Sequence, residues 1–172
     1  GVWLVAGGSH HSVAVEFADH IAMLEAPLGE ERSIAVLEAT AKVVPNKPVR
    51  YIINTHHHFD HSSGLRTYVA MGSTLVTHRD NADFYEHVMF APLQRTLMPD
   101  RLSQFYPNFT ASRRPVPIER VNQKYVLSDG NQIVELYPML GSTHIGPMLL
   151  AYLPKQKILV NADMYTPPAP GA

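Results

Sequence analysis

Four of the chain's ten histidines fall between positions 56 and 61, in the run Asn54-Thr55-His56-His57-His58-Phe59-Asp60-His61. In an extended segment, residues i and i+2 project to the same side, so His56 and His58 converge on one point while His57 points away. If the chain then turns toward a helix, Asp60 and His61 close on an adjacent point. Neutral imidazoles and a carboxylate suit zinc, and iron or manganese as well. A cation held this way makes hydroxide available near neutral pH and polarises a carbonyl, the chemistry of metal-assisted hydrolysis. The competing reading is an exposed polar loop or a tag-like His run. A tag would not sit in mid-chain behind an apolar strand with an Asp interleaved. The chain has no Cys, which removes disulfides, thiolate zinc sites and Cys nucleophiles together, and leaves the redox compartment open.

The elements that must position this run read as α/β. Val2-Trp3-Leu4-Val5, Ser12 to Phe17 and Ile21 to Leu24 are apolar strand candidates, and Glu25-Ala26-Pro27 closes the last. Between Glu30 and Val44 the residues Ile34, Leu37, Ala41 and Val44 recur at helical spacing, with acids in the first turn and Pro45 and Pro48 beyond the end. Val49 to Asn54 is a compact strand, apolar in both alternating sets and so expected to be buried. Strand, helix and strand of this length imply a crossover unit. Helices are expected over Ser62–Met71, Asp80–Phe90 and 92–105, the last broken by Pro99, with a short strand from Ser73 to His78 and a loop from 107 to 120. The last third is β: two hairpins turn at Ser128-Asp129-Gly130-Asn131 and at Pro154-Lys155-Gln156-Lys157.

Composition narrows the function. A length of 172 residues is one domain, read over 1–172, with 45% hydrophobic and 17% charged residues. No apolar run nears the roughly 18 residues of a membrane span, so no membrane role is expected. A formal charge of −1 gives no electrostatic case for nucleic acid. Val2–Ala6 is too short, and lacks the basic flank, to be a signal-peptide core, which leaves a soluble protein, cytoplasmic or exported. The first residue is Gly1 and the tail Thr166 to Ala172 is linker-like, as in a piece of a longer protein.

Thr55-His56-His57-His58-Phe59-Asp60-His61-Ser62-Ser63-Gly64-Leu65 resembles the signature of the metallo-β-lactamase fold superfamily, in the form of its glyoxalase II-like hydrolases. The similarity continues through Gly141-Ser142-Thr143-His144, where the family has its next His, and Asn161-Ala162-Asp163, where it has a metal-bridging Asp. The resemblance implies a four-layer αββα sandwich with metals at one edge between the sheets. This chain would cover the first half and the opening strands of the second, a single domain incomplete at its C-terminus. It also implies that His56, His58 and His144 hold a first zinc, and that Asp60 and His61 hold a second, with Asp163 bridging and Asp60 also catalytic. Nothing after Asp163 stands in for the family's last His, so either that segment lies outside the chain or the second site is weak or empty. The family's Asp-Thr-Gly-like turn reads Glu25-Ala26-Pro27, to which no role is assigned, and its Pro-Gly-His reads Ser142-Thr143-His144.

The expected activity is hydrolysis of a small-molecule ester, lactone, thioester or amide-type carbonyl by metal-activated hydroxide. Alternatives are a β-lactamase, a mononuclear iron oxygenase like the persulfide dioxygenases of the superfamily, using His56, His144 and Asp163, and a catalytically weak binding module. Apolar surface left open by the half-built second sheet allows a homo-oligomer or another partner. His10, His11 and Tyr165 are candidate substrate contacts. Trp3, Tyr51, Phe59 and Tyr68 read as core. The apolar insert Phe84, Tyr85, Met89, Phe90, Leu93, Leu97 and Met98 reads as core packing or as a roof over the substrate groove.

Overall fold

A computed structural model of the chain describes residues 1–90, 98–106 and 116–165. Two sheets face each other. The first has six strands in the order β1 (Val2–Val5), β2 (Ser12–Glu16), β3 (Ile21–Leu24), β4 (Val49–Ile53), β5 (Thr74–His78) and β6 (Ile118–Val121). β1 to β3 run antiparallel, and β3 to β6 are parallel. The second sheet is an antiparallel meander of β7 (Tyr125–Ser128), β8 (Ile133–Met139), β9 (Met148–Leu153) and β10 (Ile158–Val160). Helices α1 (Glu30–Val43), α2 (Phe59–Ser62), α3 (Leu65–Ala70), α4 (Arg79–Phe84) and α5 (Arg101–Phe105) fill the crossovers between parallel strands. Every helix among the described residues thus precedes β6, and none is long and apolar enough to cross a membrane.

The core divides with the layers. Ile21, Met23, Ile52 and Leu75 point from the first sheet toward the helices, meeting Val36, Leu65, Tyr68, Tyr85 and Phe90. Their sequence neighbours Ala22, Leu24, Ile53 and Val76 point the other way and pack on Val134, Leu136, Leu149 and Ala151 of the second sheet. The alternation of a strand buried on both faces accounts for these apolar runs. In β4 only the C-terminal half is buried, Ile52 and Ile53, while Arg50 is exposed and pairs with Asp19.

Four expectations are corrected. Of the expected α1 stripe, Val44 is buried and Leu37 packs on the core, but Ile34 is only half-buried and Ala41 is exposed, and the fully buried residues within the helix are Ser33, Val36 and Thr40. Polar residues are among them because their hydroxyls bond within the helix, Ser33 Oγ to the Gly29 carbonyl at 2.9 Å and Thr40 Oγ1 to that of Val36 at 2.7 Å. The helix expected from Ser62 to Met71 is two pieces meeting at Gly64. A Cβ at Gly64 would lie 2.1 Å from Ser33 Oγ and 2.8 Å from the Ala26 carbonyl, so only glycine lets α1 approach so closely. Residues 118–120, the end of the expected loop, belong instead to β6, which forms by parallel pairing with β5, a long-range contact that the Pro-rich flank conceals. Phe59 is 74% exposed, because His61 and Ser62 take the buried side of the short α2.

The helix expected over Asp80–Phe90 is α4 followed by a wider π-helical turn, Tyr85–Met89. Within the apolar insert, Tyr85 and Phe90 are core and Met98 is exposed. Leu93 and Leu97, residues 92–97 of the expected third helix, 107–115 of the expected loop and the 166–172 tail lie outside the described residues. A buried ion pair closes the helical layer: Arg66 of α3 donates through Nε and Nη2 to Asp100, and also to the Met89 carbonyl. Asp100 caps α5 by accepting from Ser103 N–H at 2.9 Å. Burial disfavours its charge, but Arg66 and Ser103 outweigh that and hold its pKa at about 2. Asp100→Ala strands a buried guanidinium and is expected to cost about 3 kcal/mol in urea unfolding. A loss below about 0.5 kcal/mol would show that the pair contributes no more than an exposed one.

Candidate metal centre

The motif begins where β4 ends, at the C-terminal edge of the parallel strands. Glu25, one residue past β3, adopts positive φ (68°), and its N–H bonds to the Ile53 carbonyl at 2.8 Å. Its side chain turns under the motif. One carboxylate oxygen accepts from Thr55 N–H at 2.7 Å, and the other lies 2.9 Å from His61 Nδ1. Asn54 reinforces the turn by donating to the His61 carbonyl at 3.0 Å, and its Oδ1 accepts from the buried hydroxyl of Tyr85. Glu25 thus joins the candidate site through Thr55 and His61, although the sequence assigns Glu25-Ala26-Pro27 no role. The signal available was an acid at the end of a strand next to the motif strand, and only the pairing of β3 with β4 turns that into contact with His61.

The extended segment then sorts the histidines as alternation requires. His57 leaves the cluster, bonding to Asn81 Oδ1 at 2.8 Å and packing on Phe84. Asn81 in turn donates to the Pro147 carbonyl at 3.1 Å, which ties α4 to the loop carrying His144. In that loop Ser142 Oγ accepts from the N–H groups of His144 and Ile145 at 3.2 and 3.3 Å, so a serine side chain shapes the turn. Thr55 accepts from Leu149 N–H at 3.0 Å, fastening the motif to β9.

Two groups of donor atoms result. His56, His58, His144 and Asp163 each offer one atom within 4.8 Å of the others, and so do His10, Asp60 and His61. In the first group His144 Nε2 is 2.9 Å from His58 Nδ1 and 3.1 Å from Asp163 Oδ2. The same Asp163 oxygen is 3.5 Å from His56 Nε2 and 3.0 Å from His61 Nε2, and so touches both groups. His56 Nδ1 is held by Thr55 Oγ1 at 3.0 Å. Asp60 Oδ2 lies 3.1 Å from His10 Nε2 and 3.6 Å from His61 Nε2. Of the candidate substrate contacts, His10, His11 and Tyr165 all line one cleft of about 780 Å³, together with Glu25, His61 and Asp163. A third group of possible donors among the described residues, Asp83, Glu86 and His87, stands apart on α4 and the π-helical turn, where Arg120 pairs with both carboxylates.

These residues fit a cation. His56 Nε2 and His61 Nε2 are buried and make no hydrogen bond, and a polar atom buried without a partner is costly unless something else satisfies it. Burial lowers the pKa of His56 to about 3, helped by the neighbouring imidazoles His61 and His58, which keeps a lone pair available. At His61 burial acts in the same direction, but the hydrogen bond and charge of Glu25, with Asp163 and Asp60, outweigh it and raise the pKa. At Asp60 burial is likewise outweighed, by the hydrogen bond from His10 and by its own backbone N–H, and the carboxylate is held below its usual range.

An α/β scaffold of two facing sheets, with His and Asp side chains gathered at one edge, is the class that fold and site define. Residues 6–164 match the metallo-beta-lactamase superfamily, and the chain belongs to that family. Among solved structures, the metallo-beta-lactamase from Pontibacter korlensis shares the fold at TM-score 0.63 and 19% identity, over 92% of this chain and 63% of that one. A subclass B3 metallo-beta-lactamase from a soil metagenome library gives 0.61 and 17%, over 88% and 54%. Metallo-beta-lactamase SMB-1, bound to 2-mercaptoethanesulfonate, gives 0.60 and 18%, over 87% and 54%. The chain thus spans between about half and two thirds of the length of these structures. No curated protein matches it.

In the metal-free protein, NMR is expected to place the His56 midpoint near 3 and that of His61 above 6.5, with Glu25→Gln bringing His61 down. The sign for His56 is fixed by linkage. Its folded pKa lies below the unfolded one, so it favours the metal-free fold less and less as pH falls from about 6.5 toward about 3. A His61 midpoint unmoved in Glu25→Gln would remove Glu25 as its partner.

Proposed function

We propose that the chain is the metal-binding part of a metal-dependent hydrolase, acting on the carbonyl of a small-molecule ester, lactone, thioester or amide. The observation that carries this reading is the Asp163 carboxylate, whose Oδ2 lies 3.0 to 3.5 Å from imidazoles of both donor groups. A carboxylate placed between two such groups suits a pair of cations, zinc by the chemistry of the donors, with iron or manganese also compatible. His56, His58, His144 and Asp163 would hold the first cation, and Asp60 and His61 the second. A cation bound there would supply a water acidified toward neutral pH and a Lewis-acid contact for the carbonyl oxygen.

The chain's own residues do the remaining work. Asp60, kept ionised, accepts a hydrogen bond from the attacking water, orients it and takes up its proton. Glu25 fixes the tautomer and ring direction of His61, the role of an outer carboxylate behind a ligating His. His57 and Asn81 hold the loop of His144. The cleft lined by His10, His11 and Tyr165 is of the size that takes a small organic molecule.

By resemblance to the thioesterase and lactonase members of the family, a carboxylate in the place of Asp163 supports ester, lactone or thioester chemistry over β-lactam chemistry, and identities of 17 to 19% to β-lactamases speak for fold alone. An iron oxygenase built on His56, His144 and Asp163 has the required two-His-one-carboxylate set, but His58 Nδ1 at 2.9 Å from His144 Nε2 adds a fourth donor.

Metal analysis of the purified protein, joined to assays with ester, lactone, thioester and β-lactam substrates, tests the proposal. Zinc with carbonyl hydrolysis is the expected result; one iron with oxygen uptake would replace it with the oxygenase. His58→Ala is expected to lose the first cation and all activity, while His57→Ala keeps its metal. Equal loss in both variants would show that the alternating assignment is wrong.

A further inference from the structure

We propose that His10, in the turn between β1 and β2, is a direct ligand of the second cation, completing a site with Asp60 and His61 and with Asp163 at its border. The inference rests on the metal-dependent reading above and extends it to a residue outside the His-rich motif. His10 Nε2 is 3.1 Å from Asp60 Oδ2, and the rings of His10 and His61 meet edge to face with centroids 5.0 Å apart. One donor atom from each of the three residues falls within a 4.8 Å span.

The ring of His10 is aimed. Its Nδ1 lies 2.7 Å from Ser9 Oγ, which leaves Nε2 as the atom that faces the cluster. Its carbonyl accepts from Arg32 Nη2 at 3.1 Å, so α1 anchors the turn from behind. Gly7 makes room for this anchor, since a Cβ there would lie 2.1 Å from Arg32 Nη1. A ligating imidazole commonly has this arrangement, one nitrogen held by a neighbour and the other free to coordinate.

A simple His10–Asp60 ion pair does not account for the whole cluster. It leaves His61 Nε2 buried without a hydrogen bond, although that atom lies between two carboxylates, 3.6 Å from the same Asp60 oxygen and 3.0 Å from Asp163 Oδ2. One cation between the three side chains satisfies His61 Nε2, His10 Nε2 and Asp60 Oδ2 at once. His11 contrasts with it: exposed, it turns its Nδ1 back to Gly7 N–H at 3.4 Å and belongs to neither donor group.

The test is stepwise Zn²⁺ titration of the metal-free protein by calorimetry, with ¹⁵N spectra of the histidine side chains recorded alongside. Wild type is expected to take two Zn²⁺ per chain, with the His10 Nε2 resonance moving only at the second equivalent. His10→Ala is expected to keep the first and to bind the second more than about 100-fold more weakly, beyond the roughly 10- to 100-fold loss typical of an outer partner. Added imidazole should restore part of it, and His11→Ala should match wild type. A second Zn²⁺ bound as tightly in His10→Ala, or a His10 resonance that does not move, would overturn the assignment. So would a wild type that binds one Zn²⁺ only. Failure to bind any Zn²⁺ would instead remove the metal-dependent reading beneath it.

Discussion

The centre depends on a buried carboxylate being fully occupied. Glu25 is only 5% exposed, and a charge so placed is stable only when its oxygens are satisfied. They are satisfied by the first backbone amide of the motif and by the ring of His61. The need to pair one acid therefore fixes both the exit of the chain from β4 and the angle at which α2 begins. The same residue adopts a left-handed backbone conformation so that its amide can continue the β3–β4 ladder while its side chain dips beneath the loop. Fold and site meet in this residue.

From that anchor the remaining donors arrive by different routes. His56 and His58 come from simple alternation along an extended segment. His144 comes from the second sheet, on a turn shaped by Ser142 and moored to α4 through Asn81. Asp163 follows β10, with positive φ that an Asp tolerates better than most residues. His10 comes from the opposite margin of the first sheet. The cluster thus joins four separate stretches of chain, and its geometry rests on the packing of the two sheets through Ile53, Val76, Leu136 and Leu149.

The parts legible in the sequence were those governed by short-range periodicity. Alternation predicts that His57 leaves the cluster, and apolar runs with their turns give β1 to β5 and both terminal hairpins close to their observed bounds. What escaped was set at long range. β6 is a strand because β5 offers it an edge. Ser33 and Thr40 join the buried face of α1, beside Leu37 and Val44 of the apolar stripe, because they satisfy their own hydroxyls and so qualify as interior. Phe59, apolar by type, faces outward because His61 and Ser62 hold the inner side. Glu25 and His10 were visible as residue types but not as partners, since the motif contacts of Glu25 lie 29 to 36 positions away and that of His10 lies 50 away.

Gly64 shows how far from the donors the centre can be disturbed. It is the point where α1, the turn after β3 and the helix of the motif touch, and its amide bonds to the Ala26 carbonyl at 2.9 Å. The hydroxyl and carbonyls around it leave no space for a methyl group. A single added carbon there would wedge the motif helix off its seat. The cost would register as a misaligned His61 ring in an otherwise folded protein, a defect of aim that no inspection of the ligands themselves would reveal.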